Sequence, residues 1–520
     1  MWRNLATQTA KASIGERIAK LFGYEKPKSR AAGPRAFSGG YQGARVDRTT
    51  QEWNPGNLTP DVLHRQDGRM LRERARDLVE NNPMAKAAVK AYIANVVRCG
   101  IMPKPMIEQV DLRKTWRQAW DLWIKRDADI TRVQHFYELQ KLWLEEVIVG
   151  GGCLVHFVQL PPAKARRRRL PLAIELIPEE RFCEDGDFLG KPPQTNGNRV
   201  VRGVEIDSET GEHVAYWVKS ALPNDLYPTA IEKNIRIPAD QCVYGYNRTR
   251  IGQHRGFTML APVIMYLWKL GYYTDNELMA SAIRSCYAVL IKTADGGPLG
   301  GLNDDTGATV TDMNGNPIDR LEPGIIGNVQ HADEITGVGP NTPPGDAATW
   351  IKLIQRSIAV GMDLSYFGMM RDTSDSNFAG FRAGLNEDRS RYEMLQDFCA
   401  YHLVEPTYER FVPASVLAGT EGFPSPSQYT ADPDSFLVSE CQYPGWPSVT
   451  PLDDARASEI ELAIGVNTRG RIIGSRGYDR VETFEELAVE KNDAERLGID
   501  IAAEPDAALA DDQITSEDRK

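Results

Sequence analysis

The sequence predicts a predominantly helical α+β chain, on three observations. Apolar residues recur at helical spacing over most of its length. Between about residues 153 and 245 that pattern gives way to short β-rich runs broken by Pro, Gly and Asn/Asp clusters. Two long apolar-faced helices then flank a Gly/Asp/Asn-rich excursion. With 520 residues and 42% hydrophobic content, a prior of roughly 100 to 200 residues per domain implies about three folding units with real cores.

Residues 1–60 form a basic N-terminal arm and linker. Arg and Lys outnumber Glu and Asp there, Trp2, Leu5, Ile14, Ile18, Leu21 and Phe22 either line an amphipathic helix or belong to a frayed end, and residues 26–60 are rich in Pro, Gly, Ser and Thr. Helical periodicity starts near Arg65 and restarts at Asn82-Pro83, where Asn caps free N–H groups and Pro suits the first helical position. Ala85, Ala88, Val89, Tyr92, Ile93 and Val96 share a face, and Gly100 supplies a left-handed stop. Two further helices carry Trp116, Ala119, Trp120 and Trp123, then Phe136, Leu139, Trp143 and Val147, until Gly150-Gly151-Gly152 ends them; such aromatic stripes are core.

The runs LVHFVQL, LAIELI, VEI, AYWV and RIP read as strands. Arg166, Arg167, Arg168 and Arg169 fall at a hairpin tip between the first two, as a solvated tip or a contact with DNA or an acidic neighbour. Leu260, Val263, Ile264, Leu267 and Leu278 mark one side of a helix running to about Cys286, some ~40 Å long at 1.5 Å per residue. A second helix begins at an Asp346 N-cap and groups Trp350, Leu353, Ile354, Ile358 and Gly361. A loop over Gly368–Asn377 follows, then periodicity through Phe378, Phe381, Leu385, Tyr392, Leu395 and Phe398, which Pro406 should kink or end. Beyond Gly419 an irregular stretch precedes helices over Asp453–Gly465 and Thr483–Leu497, with a turn around Gly474–Tyr478. Residues 500–520 carry seven carboxylates among Ala and few large apolar residues, the composition of a disordered acidic tail.

Composition excludes several classes of function. The formal charge of −11 argues against a domain that gains affinity by neutralising phosphates. The same sign is compatible with a surface that touches a polyanion weakly without retaining it. The seven cysteines are scattered without CxxC or Cys/His spacing, giving no disulfide framework and no zinc site. No apolar run reaches ~18 residues, the best candidate being broken by Lys269, so membrane spanning is not expected.

Catalytic motifs fail one after another. GDFLGK at Gly186 is one residue short of a P-loop, and Pro192 stands where Ser or Thr should bind magnesium. DMNGNPIDRLEP at Asp312 has Pro317 at the turn glycine and Pro323 at the bidentate glutamate of a calcium loop. GGPLGG at Gly296 lacks GxGxxG spacing, His331 with Asp333 and Glu334 is too local for a metal cage, and neither HExxH nor GxSxG occurs. No cofactor, no metal and no catalytic residue is expected.

Four blocks in order carry a family resemblance: RARDLVENNPMAKAAVKAYIANVVRCGIMPKP from Arg74, RGFTMLAPVIMYLWKLGYYTDNELMASAIRSCYAVLIKT from Arg255, the helix–loop–helix run from Thr342 to Val412, and YPGWPSVTPLDDARASEIELAIGVNTRGRIIGSRGYD from Tyr443. Together they resemble the portal proteins of lambda-like tailed phages. The resemblance implies a portal fold with a wing (61–257, helical to 152 and β-rich from 153), a first stem helix (258–286) and a clip (287–345). A second stem helix (346–367), a tunnel loop (368–378), a long kinked helix with the wing remainder (379–450), a crown (451–499) and the acidic tail (500–520) complete it. It also implies a non-enzymatic ring of twelve at the unique capsid vertex, assembled in the host cytoplasm. Its expected partners are double-stranded DNA in the channel, the terminase large subunit, the major capsid or scaffold protein, and head–tail connector proteins. Facing the DNA would be Arg371, Asp372, Thr373, Ser374, Asp375, Ser376 and Asn377, small hydroxyl residues and locally balanced charges that touch phosphate without retaining it. The alternatives are a capsid or tail structural protein without a DNA channel, which lacks a central opening in micrographs, and an enzyme assembled from scattered Asp, Glu and His.

Overall fold

The computed structural model describes residue 52 and residues 55–107, 109–184, 197–222, 233–286, 290–291, 327–328, 347–374 and 377–499. The chain divides into two units, Met1–Leu58 and Thr59–Lys520, and every element below belongs to the second. Most of the arm, the three failed motifs, His331, most of 287–345, Asp346 and residues 500–520 lie outside the described residues.

Helices α1 (Pro60–Asn81) and α2 (Pro83–Val96) are divided by Asn82, whose side-chain oxygen accepts the N–H groups of Met84 at 3.0 Å and Ala85 at 3.2 Å. At Gly100 φ is +114° and a Cβ would strike the Tyr137 ring, so both conformation and space require glycine. Strand β1 (Met102–Pro105) leads to α3 (Val110–Ile124) and α4 (Phe136–Gly150), which bury Trp116, Trp120, Trp123, Phe136 and Trp143. Trp116 stacks on Phe423 with centroids 4.2 Å apart, and Trp120 meets Phe411 edge-on at 5.0 Å, so the stripe is core as the sequence indicates.

Strand β2 (Gly152–Gln159) is followed by the single turn α5 (Pro162–Ala165) and β3 (Leu172–Pro178). A four-stranded antiparallel meander comes next: β4 (Arg199–Val201), β5 (Val204–Ile206), β6 (His213–Lys219) and β7 (Asn234–Pro238). Then β8 (Cys242–Tyr246) returns to the free edge of β2, giving the order β3-β2-β8. Alternation places Cys153, Val155 and Phe157 in the helical core and Leu154 in a second core between the sheets, so β2 joins the two.

Helix α6 (Ile264–Cys286) buries Ile264, Leu267 and Leu270 and then leaves the core. Leu278, expected on the packed face, is 70% exposed. The regular helix also starts later than expected, because residues 259–263 form turns. Two short parallel strands, β9 (Leu290–Ile291) and β10 (Gly327–Asn328), precede α7 (Ala347–Gly361), which packs beside α6 through Tyr273 and Trp350 at 5.4 Å. Helix α7 ends at Gly361, earlier than the expected 367; Asp363 turns the chain at φ +58° and a short helix, α8 (Tyr366–Met370), follows.

Helix α9 (Phe378–Cys399) runs through a π-helical turn, Ala400–Val404, into α10 (Glu405–Leu417). The regular winding thus changes immediately before Pro406. The widened turn sets it in the opening turn of α10. The stretch read as irregular holds α11 (Pro426–Ala431), α12 (Asp434–Leu437) and β11 (Ser439–Gln442), which pairs antiparallel with β1, Met102 opposite Gln442. Helices α13 (Pro451–Ala463), α14 (Arg469–Ser475) and α15 (Arg480–Leu497) close the described chain, α14 being additional to the two expected.

Candidate functional site

The loop between α8 and α9 is held at both ends by side chains that cap helices. Buried Asp388 of α9 accepts the Ser365 N–H at 2.7 Å and the Ser365 hydroxyl at 2.5 Å, and that hydroxyl oxygen accepts the Gly368 N–H at 3.0 Å to cap α8. Burial raises the Asp388 pKa while the Ser365 bonds oppose it. Arg371 closes α8 at φ +56°, its N–H donating to the Phe367 carbonyl at 2.9 Å and its side chain exposed.

Asp372 accepts the Ser374 N–H at 3.0 Å and the Tyr366 hydroxyl at 3.2 Å; bonds from Ser374 hold its carboxyl below the usual range. Asn377 accepts the Gly380 N–H at 2.8 Å and so caps α9. Thr373 and Ser374 are exposed, and Asp375 and Ser376 lie outside the described residues. The segment's described residues present the exposed Arg371 guanidinium and small hydroxyl side chains. It is shorter than expected, because Gly368, Met369 and Met370 are helical and Met369 is buried.

The four arginines form a second site. The turn after α3 is shaped by Asp129, whose carboxylate accepts the N–H groups of Thr131, Val133 and Gln134, each at 3.0 Å. Those bonds hold the Asp129 carboxyl below its usual range against the opposing effect of burial. Across from it, Arg168 donates to the carbonyls of Asp127 (2.7 Å), Asp129 (2.8 Å) and Ile130 (2.6 Å). The Arg169 N–H donates to the Asp127 carboxylate at 2.9 Å. Arg168 thus stitches the β2–β3 connection to the α3–α4 turn and is no solvated tip residue. Between the two walls lies a cleft of about 510 Å³, lined by Lys125, Arg126, Arg132, Arg166, Arg167, Arg168 and Arg169 against the single carboxylate of Asp127.

A buried ionic cluster was not anticipated from sequence. Glu179 is fully buried and accepts Arg255 Nε at 2.6 Å and the Tyr244 hydroxyl at 2.9 Å, while Arg255 also donates to the carbonyls of Glu179 and Arg202, each at 3.0 Å. Arg202 reaches Glu184 at 2.8 and 2.7 Å, and Arg72 donates to the Gly150 carbonyl at 3.2 Å. Burial, then the Arg255 charge, drives the His64 pKa far down, so that imidazole stays neutral. Acids and bases here are paired across α1, α4 and both sheets, which makes the cluster a clamp. Its partners lie far apart in the chain, so no local spacing announces it. Among the described residues, no group of three or more His, Cys, Asp or Glu could hold a metal ion, and no helix is long and apolar enough to cross a membrane.

A family model described as phage portal protein, lambda family, matches residues 46–396. A probable portal protein of Halomonas phage phiHAP-1 is 25% identical over 474 residues, 88% of this chain and 87% of the relative. Portal protein B of Escherichia phage lambda is 20% identical over 499 residues, 86% and 88% of the two chains. Among solved structures, a chain of the neck of a native gene transfer agent particle with C12 symmetry aligns at a TM-score of 0.35 and 14% identity, over 79% of this chain and 99% of that one.

Proposed function

Because this chain belongs to the lambda family of phage portal proteins, we propose that it assembles into a ring of twelve at one capsid vertex and conducts DNA inward during packaging and outward at ejection. In this reading the ring docks the terminase large subunit, later receives head–tail connector proteins, and sits against the major capsid or scaffold protein. Assembly takes place in the host cytoplasm and the finished ring is part of the virion. The protein's own contribution is mechanical, without catalysis.

The observation that carries this reading is the surface of the α6–α7 pair. Trp268, Tyr272, Leu278 and Met279 of α6, and Trp350 and Leu353 of α7, are each between 48% and 70% exposed. Apolar surface of that extent on adjoining helices needs neighbouring copies to cover it. The Arg371–Asn377 segment then supplies weak, repeated phosphate contacts that brace a sliding duplex.

The test replaces Arg371–Ser376 with a Gly/Ser linker and measures packaging. Rings of normal size that bind the packaging ATPase but yield few filled heads, or heads that lose their DNA, are expected. Full-length packaging and retention at the normal rate would overturn the tunnel-loop role, and particles without a central opening in micrographs would overturn the conduit.

A further inference from the structure

The arginine cleft holds an excess of positive charge that the described fold does not neutralise. Asp127 is shared between Arg132, at 3.2 Å, and the Arg169 N–H. The Arg168 guanidinium donates three bonds to backbone carbonyls and carries its charge into the wall; burial and then the nearby Arg132 charge lower its pKa. Lys125, Arg126, Arg166, Arg167 and Arg169 are exposed side chains, and of these Lys125 lies in the field of Asp121, one turn back on the helix. Like charges brought together by a pinned turn repel one another until an anion enters. The walls are built independently of any ligand, by the Asp129 bonds on one side and the Arg168 bridge on the other, so the cleft is organised in advance of binding.

A concavity of about 510 Å³ has room for a stretch of extended anionic chain. Guanidinium forks match carboxylates, as they do phosphates, in bidentate fashion, so a segment dense in Asp and Glu fits. This chain carries such a segment. Residues 500–520 hold Asp500, Glu504, Asp506, Asp511, Asp512, Glu517 and Asp518 against Arg519 and Lys520.

The segment also starts within reach. Helix α15, which leads into it, is tied to α3 by Lys114–Glu485 at 3.0 Å and by Arg117–Glu482, and the far end of α3 supplies Lys125 and Arg126 to the cleft. From Glu485 to the end of α15 is ~18 Å and from Lys114 to Lys125 ~16 Å along the helices. Twenty-one residues extend to at most ~70 Å.

We propose that the cleft is a docking site for an acidic peptide and that its occupant is segment 500–520 of this chain, from the same or a neighbouring copy. The inference does not rest on the ring or on the DNA conduit. The docked carboxylates shield the arginines, and a more strongly anionic partner would have to displace them.

Lys125 provides a built-in reporter. Zero-length carbodiimide coupling of the full chain, read by mass spectrometry, should join Lys125 to a carboxylate between Asp500 and Asp518. The yield should fall roughly tenfold between ~0.05 M and ~0.5 M salt as the screening length shrinks. The triple change Arg166→Glu, Arg167→Glu, Arg169→Glu should abolish the product, and the corresponding changes to Lys should preserve it. Coupling of Lys114 to Glu485 serves as the control for folding in every variant. Mixing isotopically labelled and unlabelled protein distinguishes same-copy from neighbouring-copy docking, and either supports the proposal. It is overturned if Lys125 stays uncoupled to the segment while Lys114 couples, or if charge reversal leaves the product unchanged. Protection of Lys125 by an added DNA duplex, with no segment coupling in its absence, would make the cleft a nucleic-acid site and equally overturn the proposal.

Discussion

Of four consecutive arginines, Arg168 holds the fold together through three carbonyls while its neighbours line a cleft. Removing three charge-assisted bonds from a half-buried site should lower stability by about 1.5–3 kcal/mol in Arg168→Ala. Arg167→Ala, at an exposed position, should stay within about 0.5 kcal/mol of the parent protein. Thermal or urea unfolding of the two variants checks this, and equal losses would show that the hairpin is not pinned. Glu146 makes a second residue-scale case. Burial pushes its carboxyl up to about 7, with the Arg76 guanidinium at 2.7 Å only partly opposing. In the unfolded chain its value is about 4.3. The folded state therefore holds the proton more tightly, and this residue's contribution to stability declines as pH rises from that value through about 7. Glu146→Gln removes that slope, so its melting temperature should gain on the parent's between pH ~5 and ~8. A constant difference across that range would place the titration elsewhere.

At the scale of elements, the boundary between α8 and its loop decides what can be changed safely. Met369 is buried, and the helix containing it is capped by Ser365 and Asp388. A Gly/Ser linker beginning at Arg371 should leave stability nearly unaltered, whereas one beginning at Met369 should lose about 2–5 kcal/mol by emptying a core position. Denaturant midpoints of the two linkers measure the difference. Helical spacing alone does not reveal this limit. The short helix over Tyr366–Met370 is capped locally by Ser365, but the carboxylate that holds Ser365 in place belongs to Asp388, 23 residues away. The π-helical turn before Pro406 is hidden for a similar reason, since sequence reports the missing N–H but not the widened turn that accommodates it.

For the whole molecule, the exposed apolar side chains of α6 and α7 imply self-association, and light scattering with negative-stain images should show closed rings. A strictly monomeric species at all concentrations and salts would contradict it. Truncation after Ile499 should preserve those rings, because residues 500–520 lack the apolar periodicity needed to offset their ordering entropy; loss of soluble rings would make that segment structural. The order of the helices, the Asn82 cap, the stop at Gly151 and most strands of the β-rich module are legible from the residues alone. So is the family, through blocks recurring in order. These features depend on side-chain period and on hydrogen bonds within one turn, both written into local spacing. Tertiary structure alone decides that β1 pairs with β11, that Arg255 meets Glu179, that Leu278 leaves the core and that Arg168 closes one side of a basic cleft. Each of these is a choice of partner or of surroundings made by distant parts of the chain, and the residues themselves specify only that a charge needs a counterpart and an apolar face a cover.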